Sequence, residues 1–254
     1  MGSKPLSANT LFHFTDSIEK LESILKNEFY PQYCLENQEH IGPVIHEIAF
    51  PMVSFCDIPL SQIQAHTAYY GNYAIGLKKE WGIKNKINPV LYTYKNSSTA
   101  INLRAIFDKF RDDDREVIID FGSYIKNYKG KLWKDDRYVG MWRDGKFTAK
   151  NINFYDEREW RYIPKIDVDQ DGIDKFMKMP DFKNKDYRDA QNKKLKSKRL
   201  SFQPNDIKYI IVKKESEILN MVSKLWKLKE KYNPDVKNIL QTRIISMEHI
   251  REDF

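Results

Sequence analysis

Asn153-Phe154-Tyr155-Asp156-Glu157-Arg158-Glu159-Trp160-Arg161-Tyr162-Ile163-Pro164 mixes aromatic and ionisable side chains in a pattern that points to a β-strand over residues 157–163. The strand period of two puts Glu157, Glu159 and Arg161 on one face and Arg158, Trp160 and Tyr162 on the other. Two carboxylates and a guanidinium on one side of an aromatic-rich strand are costly to bury unless they pair. The cluster is therefore either a structural ion pair at a sheet edge or the polar end of an active site, since both settings perturb carboxylates.

Outward from this strand the chain alternates short strands and helices. Residues 11–15 read as a strand, followed by a helix capped by Asp16 or Ser17, in which Ile18, Leu21, Ile24 and Leu25 recur at helical spacing. Residues 31–50, with Pro31, Gly42 and Pro43, read as an irregular loop. Strands are expected at 52–56, 73–77 and 89–94, with a helix over 61–70 and the Gly71-Asn72 turn between. Residues 99–130 read as helical, and 167–199 as a polar loop or insertion. Residues 209–212 form a buried strand, 215–232 a closing amphipathic helix and 242–247 a last edge strand. Short strands interrupted by helices, without regular βαβ alternation, indicate an α+β fold. The length suits a single domain, 1–254, with its core in 10–165 and 200–250.

Composition narrows the function classes. A formal charge of +7 favours polyanions, but opposite charges are interspersed along most of the chain. No apolar run reaches the roughly 20 residues needed to span a bilayer, and the first residues lack the apolar core of a signal peptide. Cys34 and Cys56 show no metal-type spacing, so a reduced, cytoplasmic protein without a metal site is the expectation. The run Arg111-Asp112-Asp113-Asp114-Arg115 reads as a solvated turn, because adjacent carboxylates do not converge without a special loop. No glycine-rich phosphate loop, paired-cysteine motif or Gly-x-Ser-x-Gly elbow is present.

Taken singly, the remaining candidates have ordinary readings: His13 as a core histidine, Tyr69 and Tyr70 as packing residues, Lys193 to Arg199 as a solvated basic segment. Their order carries more. A strand with His13 and Thr15, a strand with Ser54, a helix ending in Tyr69-Tyr70, and a later strand opening on Glu157-x-Glu159 resemble the ADP-ribosyltransferase fold. That resemblance implies a split β-sheet core with flanking helices and long surface loops. It also implies NAD as substrate, bound by His13, Thr15, Ser54, Tyr69 and Tyr70. Glu159 would be the catalytic carboxylate and Glu157 would orient the acceptor. A carboxylate bonded to the ribose 2′-hydroxyl would gain strength as positive charge develops at the neighbouring carbon.

A second resemblance is more specific and spans nearly the whole chain. Phe12-His13-Phe14-Thr15, Val53-Ser54-Phe55-Cys56-Asp57-Ile58-Pro59-Leu60-Ser61, Tyr70-Gly71-Asn72-Tyr73-Ala74-Ile75-Gly76-Leu77, Glu159-Trp160-Arg161 and Phe202-Gln203-Pro204-Asn205-Asp206-Ile207 resemble the AbiGi-like family of phage abortive-infection proteins, whose members are labelled antitoxins. Two functions follow as expectations. One is an NAD-dependent transferase acting in phage defence on a macromolecular acceptor, or simply cleaving NAD. The other is a catalytically silent antitoxin or regulator that binds a partner toxin, another protein or nucleic acid through Lys193, Lys194, Lys196, Lys198 and Arg199.

Overall fold

The computed structural model describes residues 8–41, 47–109, 115–134, 136–143, 146–228 and 232–253. Residues 111–114 of the 111–115 run lie outside them, and the expected 215–232 helix is shorter, a 3₁₀ turn Glu215–Glu217 followed by the helix Ile218–Lys227. The architecture is α+β, and the chain forms two compact units: one from 1–30, 54–88 and 199–254, the other from 31–53 and 89–198. The expected core segments, 10–165 and 200–250, contribute to both.

In the first unit the Thr10–Thr15 strand pairs antiparallel with Tyr73–Lys78, His13 lying opposite Ile75. Tyr73–Lys78 pairs in turn with Ile207–Val212, which runs parallel to the edge strand Ile244–Ser246. On the other side Phe12 faces Cys56. The helix Ile18–Asn27 starts where Ser17 Oγ accepts the Lys20 amide, so Ser17 rather than Asp16 is its cap. It buries Ile18, Leu21 and Leu25. Phe12, Cys56, Ile58, Ile63, Ala74, Ile211, Met247 and Ile250 form one core cluster. Burial of Cys56 keeps it a packing residue.

The second unit contains most departures from the sequence reading. Gly42 and Pro43 lie outside the described residues, but the described parts of 31–50 are not an irregular loop: Gln32–Asn37 is a strand, paired antiparallel with the first part of Glu47–Cys56, Tyr33 opposite Pro51 and Glu36 opposite Ile48. Interstrand hydrogen bonds outweigh the weak strand propensity of its polar residues, a tertiary effect that local composition does not report. The helical expectation for 99–130 holds for Ser98–Lys109 and Arg115–Gly122. It fails beyond them, where Ile125–Asn127 runs parallel to Leu91–Thr93 and Lys129–Lys131 pairs with Asn151–Asn153. Nor is 167–199 a loop. Asp167 and Asn184 cap the helices Val168–Asp171 and Lys185–Lys194, and the sparse apolar residues Ile173, Met177, Phe182 and Leu195 all turn inward onto Tyr33, Ala49 and Ile166. A polar segment can fold this way because caps satisfy its amides while few side chains need burial.

His40, 1% exposed beside Arg104, has no hydrogen-bond partner at either ring nitrogen among the described residues. Burial, and then the Arg104 charge, push its pKa down to about 4. The unfolded chain therefore takes up a proton first as pH falls. The stability associated with neutral His40 is full above about pH 6.5 and declines towards pH 4, by about 2 kcal/mol at pH 5. Urea titrations at pH 7 and pH 5 should show this loss in the wild type and a smaller one in His40→Leu; equal losses would contradict it.

Candidate functional site

The expected Glu157–Glu159–Arg161 face exists, built differently from a plain strand. The strand proper is Glu159–Tyr162, in which Glu159 and Arg161 are buried and Trp160 and Tyr162 half-buried. Glu157 lies outside it, at the end of the 3₁₀ turn Phe154–Glu157. Arg158, left-handed at φ 45°, breaks the alternation between them.

Around Glu159 the carboxylates and cations interlock. Arg161 Nε donates to Glu159 Oε1 at 2.7 Å and Nη2 to Oε2 at 3.1 Å. Lys126 Nζ donates to the same Oε2 at 2.7 Å and to Glu157 Oε2 at 2.9 Å. Arg161 also reaches Glu36 Oε1 and the Ser123 carbonyl, each at 2.6 Å. The Glu159 amide donates to Tyr92 Oη at 2.8 Å, and Lys126 Nζ lies 4.6 Å from the Phe154 ring centre. Arg161 is fully buried.

The electrostatics follow from this packing. Burial by itself would raise the Glu159 pKa, but Arg161 and Lys126 outweigh it and hold the carboxyl well below the usual carboxylate range. Burial likewise opposes the Arg161 cation, and Glu159 and Glu36 more than restore it. Both residues stay charged at any physiological pH. Both Glu159 oxygens accept charge-assisted hydrogen bonds, so protonating this carboxylate would weaken ion pairs in a buried setting.

The residues expected to hold NAD all belong to the first unit, whereas Glu157 and Glu159 belong to the second. His13 Nδ1 is 2.8 Å from the Ser54 carbonyl, so the structure joins those two positions. The His13 ring stands edge-on to Phe29 and Phe55, and burial lowers its pKa despite the bond to Ser54, leaving it neutral. Thr15 is buried opposite Tyr73. Tyr69 and Tyr70 end the Gln64–Tyr70 helix, where Tyr70 stacks at 4.4 Å on His66, itself 4.9 Å from Phe14. An open cleft of about 610 Å³ bordered by Asp120, Tyr124, Lys165 and Lys175, and another of about 360 Å³ bordered by Lys78, Trp81 and Phe202, are lined by none of these residues.

The basic segment is partly committed to internal contacts. Lys194 donates to the Gly172 carbonyl, Lys198 pairs with Asp171 at 2.6 Å, and Arg199 lies 3.4 Å from Glu28, while Lys193 and Lys196 are exposed. Sequence reasoning missed Glu36, Tyr92 and Lys126 as members of the ion cluster. The available signal was the alternation of Tyr33 and Leu35 with Cys34 and Glu36, and of Ile125 with Lys126, both short enough to be read as loop or helix.

Comparison with known proteins places the chain. A family profile described as "Putative abortive phage resistance protein AbiGi, antitoxin" matches residues 27–213. The chain belongs to the AbiGi family. A relative, the abortive phage resistance protein AbiGi of Lactococcus lactis subsp. cremoris, is 29% identical over 251 residues, an alignment covering 89% of this chain and 99% of that protein. No solved structure matches. The AbiGi profile takes in the whole Glu36–Lys126–Glu157–Glu159–Arg161 cluster and begins beyond His13. Among the described residues no helix is long and apolar enough to cross a membrane.

Proposed function

We propose that this AbiGi-family protein serves phage defence as an antitoxin-type binding protein that restrains a partner toxin by contact rather than by chemistry. The observation that carries this reading is the commitment of Glu159 to a buried ion cluster. The residue that a transferase mechanism would need most has both oxygens held by Arg161 and Lys126 inside the second unit. Such a carboxylate supports a fold, its charge already balanced by Arg161 and Lys126.

Nicotinamide release from NAD by the wild type and by Glu159→Gln, alongside thermal unfolding of both, tests this. The wild type is expected to release none and to show no thermal shift with NAD. Glu159→Gln should cost about 2 kcal/mol, because Arg161 and Lys126 lose a charged partner. A tagged chain recovered from phage-challenged host cells should carry a stoichiometric protein partner. Turnover in the wild type, lost in a Glu159→Gln protein of unchanged stability, would overturn the proposal.

One observation favours a second reading, an ADP-ribosyltransferase-like enzyme that uses NAD and a macromolecular acceptor. The His13 ring and the Ser54 carbonyl are bonded to each other across the paired strands Thr10–Thr15 and Glu47–Cys56. Under that reading His13→Ala would abolish NAD binding, which isothermal calorimetry would detect as a loss of heat.

A further inference from the structure

Tyr94, Tyr128 and Tyr155 of the second unit are 61%, 39% and 54% exposed, an unusual grouping of large rings on a highly charged surface. The Tyr128 and Tyr155 rings lie 5.4 Å apart and 27° from parallel. Tyr155 in turn meets the half-buried Tyr92 edge-on at 5.4 Å. Tyr92 accepts the Glu159 amide, so the row is rooted in the buried ion cluster. Backbone bonds tie the segments together: the Tyr128 amide donates to the Thr93 carbonyl at 2.7 Å, and the Tyr155 amide to the Tyr128 carbonyl at 3.3 Å. Tyr94 follows Thr93 directly.

The surroundings are basic. Lys129 and Lys131 lie exposed on the strand that continues from Tyr128, and Lys150 is exposed just before the strand paired with it. Asp156, exposed in the turn beside Tyr155, accepts from the neutral Asn153 amide at 2.8 Å and keeps its own charge, so three lysines against one carboxylate leave the patch net positive. Exposed aromatic rings with lysines on the adjoining paired strands suit one ligand chemistry. Unpaired bases stack on ring faces while ammonium groups meet the phosphates, whereas a duplex keeps its base faces hidden.

We propose that Tyr94, Tyr128 and Tyr155, flanked by Lys129, Lys131 and Lys150, form a stacking platform for single-stranded nucleic acid. This surface is distinct from the 193–199 basic segment and operates whether or not the protein also holds a toxin. Fluorescence anisotropy of the full chain with a short fluorescein-labelled oligouridine tests it, beside a duplex of equal length. The wild type should bind the single strand and discriminate against the duplex. Tyr155→Ala and Tyr128→Ala should each weaken binding by about 5- to 100-fold with the salt dependence unchanged. Tyr155→Phe should bind as the wild type does, and Lys129→Gln/Lys131→Gln should flatten the slope of log affinity against log salt by about 0.7 per lysine. Thermal midpoints matching the wild type would show that the variants remain folded; should Tyr155→Ala unfold, Tyr94→Ala, at the more exposed position, replaces it. Absence of wild-type binding, equal affinity for duplex, or folded tyrosine variants that bind unchanged would each overturn the assignment.

Discussion

Arg161→Met should destabilise the protein by about 3–5 kcal/mol, the range for removing one partner of a buried ion pair. The guanidinium is fully buried and meets Glu159, Glu36 and the Ser123 carbonyl together. Methionine fills much of the same space but offers no donor. Glu36 and Glu159 would then share Lys126 with Glu157, three carboxylates on one ammonium, and the Ser123 carbonyl would lose a donor in a dry site. Urea denaturation followed by circular dichroism measures the change. A loss below about 1 kcal/mol would show that the cluster is solvated. The double variant Arg161→Met/Glu159→Met should recover part of the loss, since removing both charges leaves fewer of them stranded. Glu159 adds to the acid sensitivity that His40 confers, at lower pH. Glu159 has a folded pKa below its ordinary value near 4.5, so its stabilising contribution is present above that value and is lost as pH falls towards the lowered one.

Gly71→Ala should cost about 3 kcal/mol for a different reason. Gly71 ends the Gln64–Tyr70 helix at φ 104°, a conformation that L side chains rarely adopt. A Cβ there would lie 2.2 Å from the Thr15 carbonyl oxygen and 2.6 Å from Asp16 Cα, both backbone atoms that cannot swing aside. Backbone strain of about 1 kcal/mol adds to a steric cost of about 1–3 kcal/mol. Thermal unfolding of the purified variant measures the sum. An unchanged midpoint would mean that the helix end and the Thr10–Thr15 strand can separate without loss. Because Thr15 is buried in that strand, the effect should reach the His13–Ser54 contact, visible as a shift of the His13 imidazole resonances.

Much of the first unit was legible in the residues themselves. Its strands are short apolar runs bounded by Gly71-Asn72, Asp57-Ile58-Pro59 and Pro204, and its first helix shows clear periodicity over Ile18, Leu21 and Leu25. Local chemistry and tertiary structure agree there. In the second unit they diverge. Gln32–Asn37 is a strand because its partner is Glu47–Cys56, and Lys185–Lys194 is a helix seated by Asn184 and by a few buried neighbours. The ion cluster was half visible: Glu159 and Arg161 shared a face as their spacing indicated. Lys126 and Glu36 come from segments distant in sequence, and only pairing across the sheet and the parallel strand brings them in. A charged face read from one strand cannot reveal whether its counterions come from a ligand or from the chain.

The interleaving of the two units has a consequence for birth on the ribosome. Residues 31–53 and 89–198 complete the second unit while the tail of the chain is still being translated. The first unit starts with the N-terminus yet must wait for Ile207–Val212 to sit beside Tyr73–Lys78, and for Ile244–Ser246 after it. At roughly 5–20 residues per second, the N-terminal strand and its partner spend several seconds with an open edge. Folding is therefore ordered from the middle outward, and the nascent chain has most need of a chaperone during the interval before its last strands emerge.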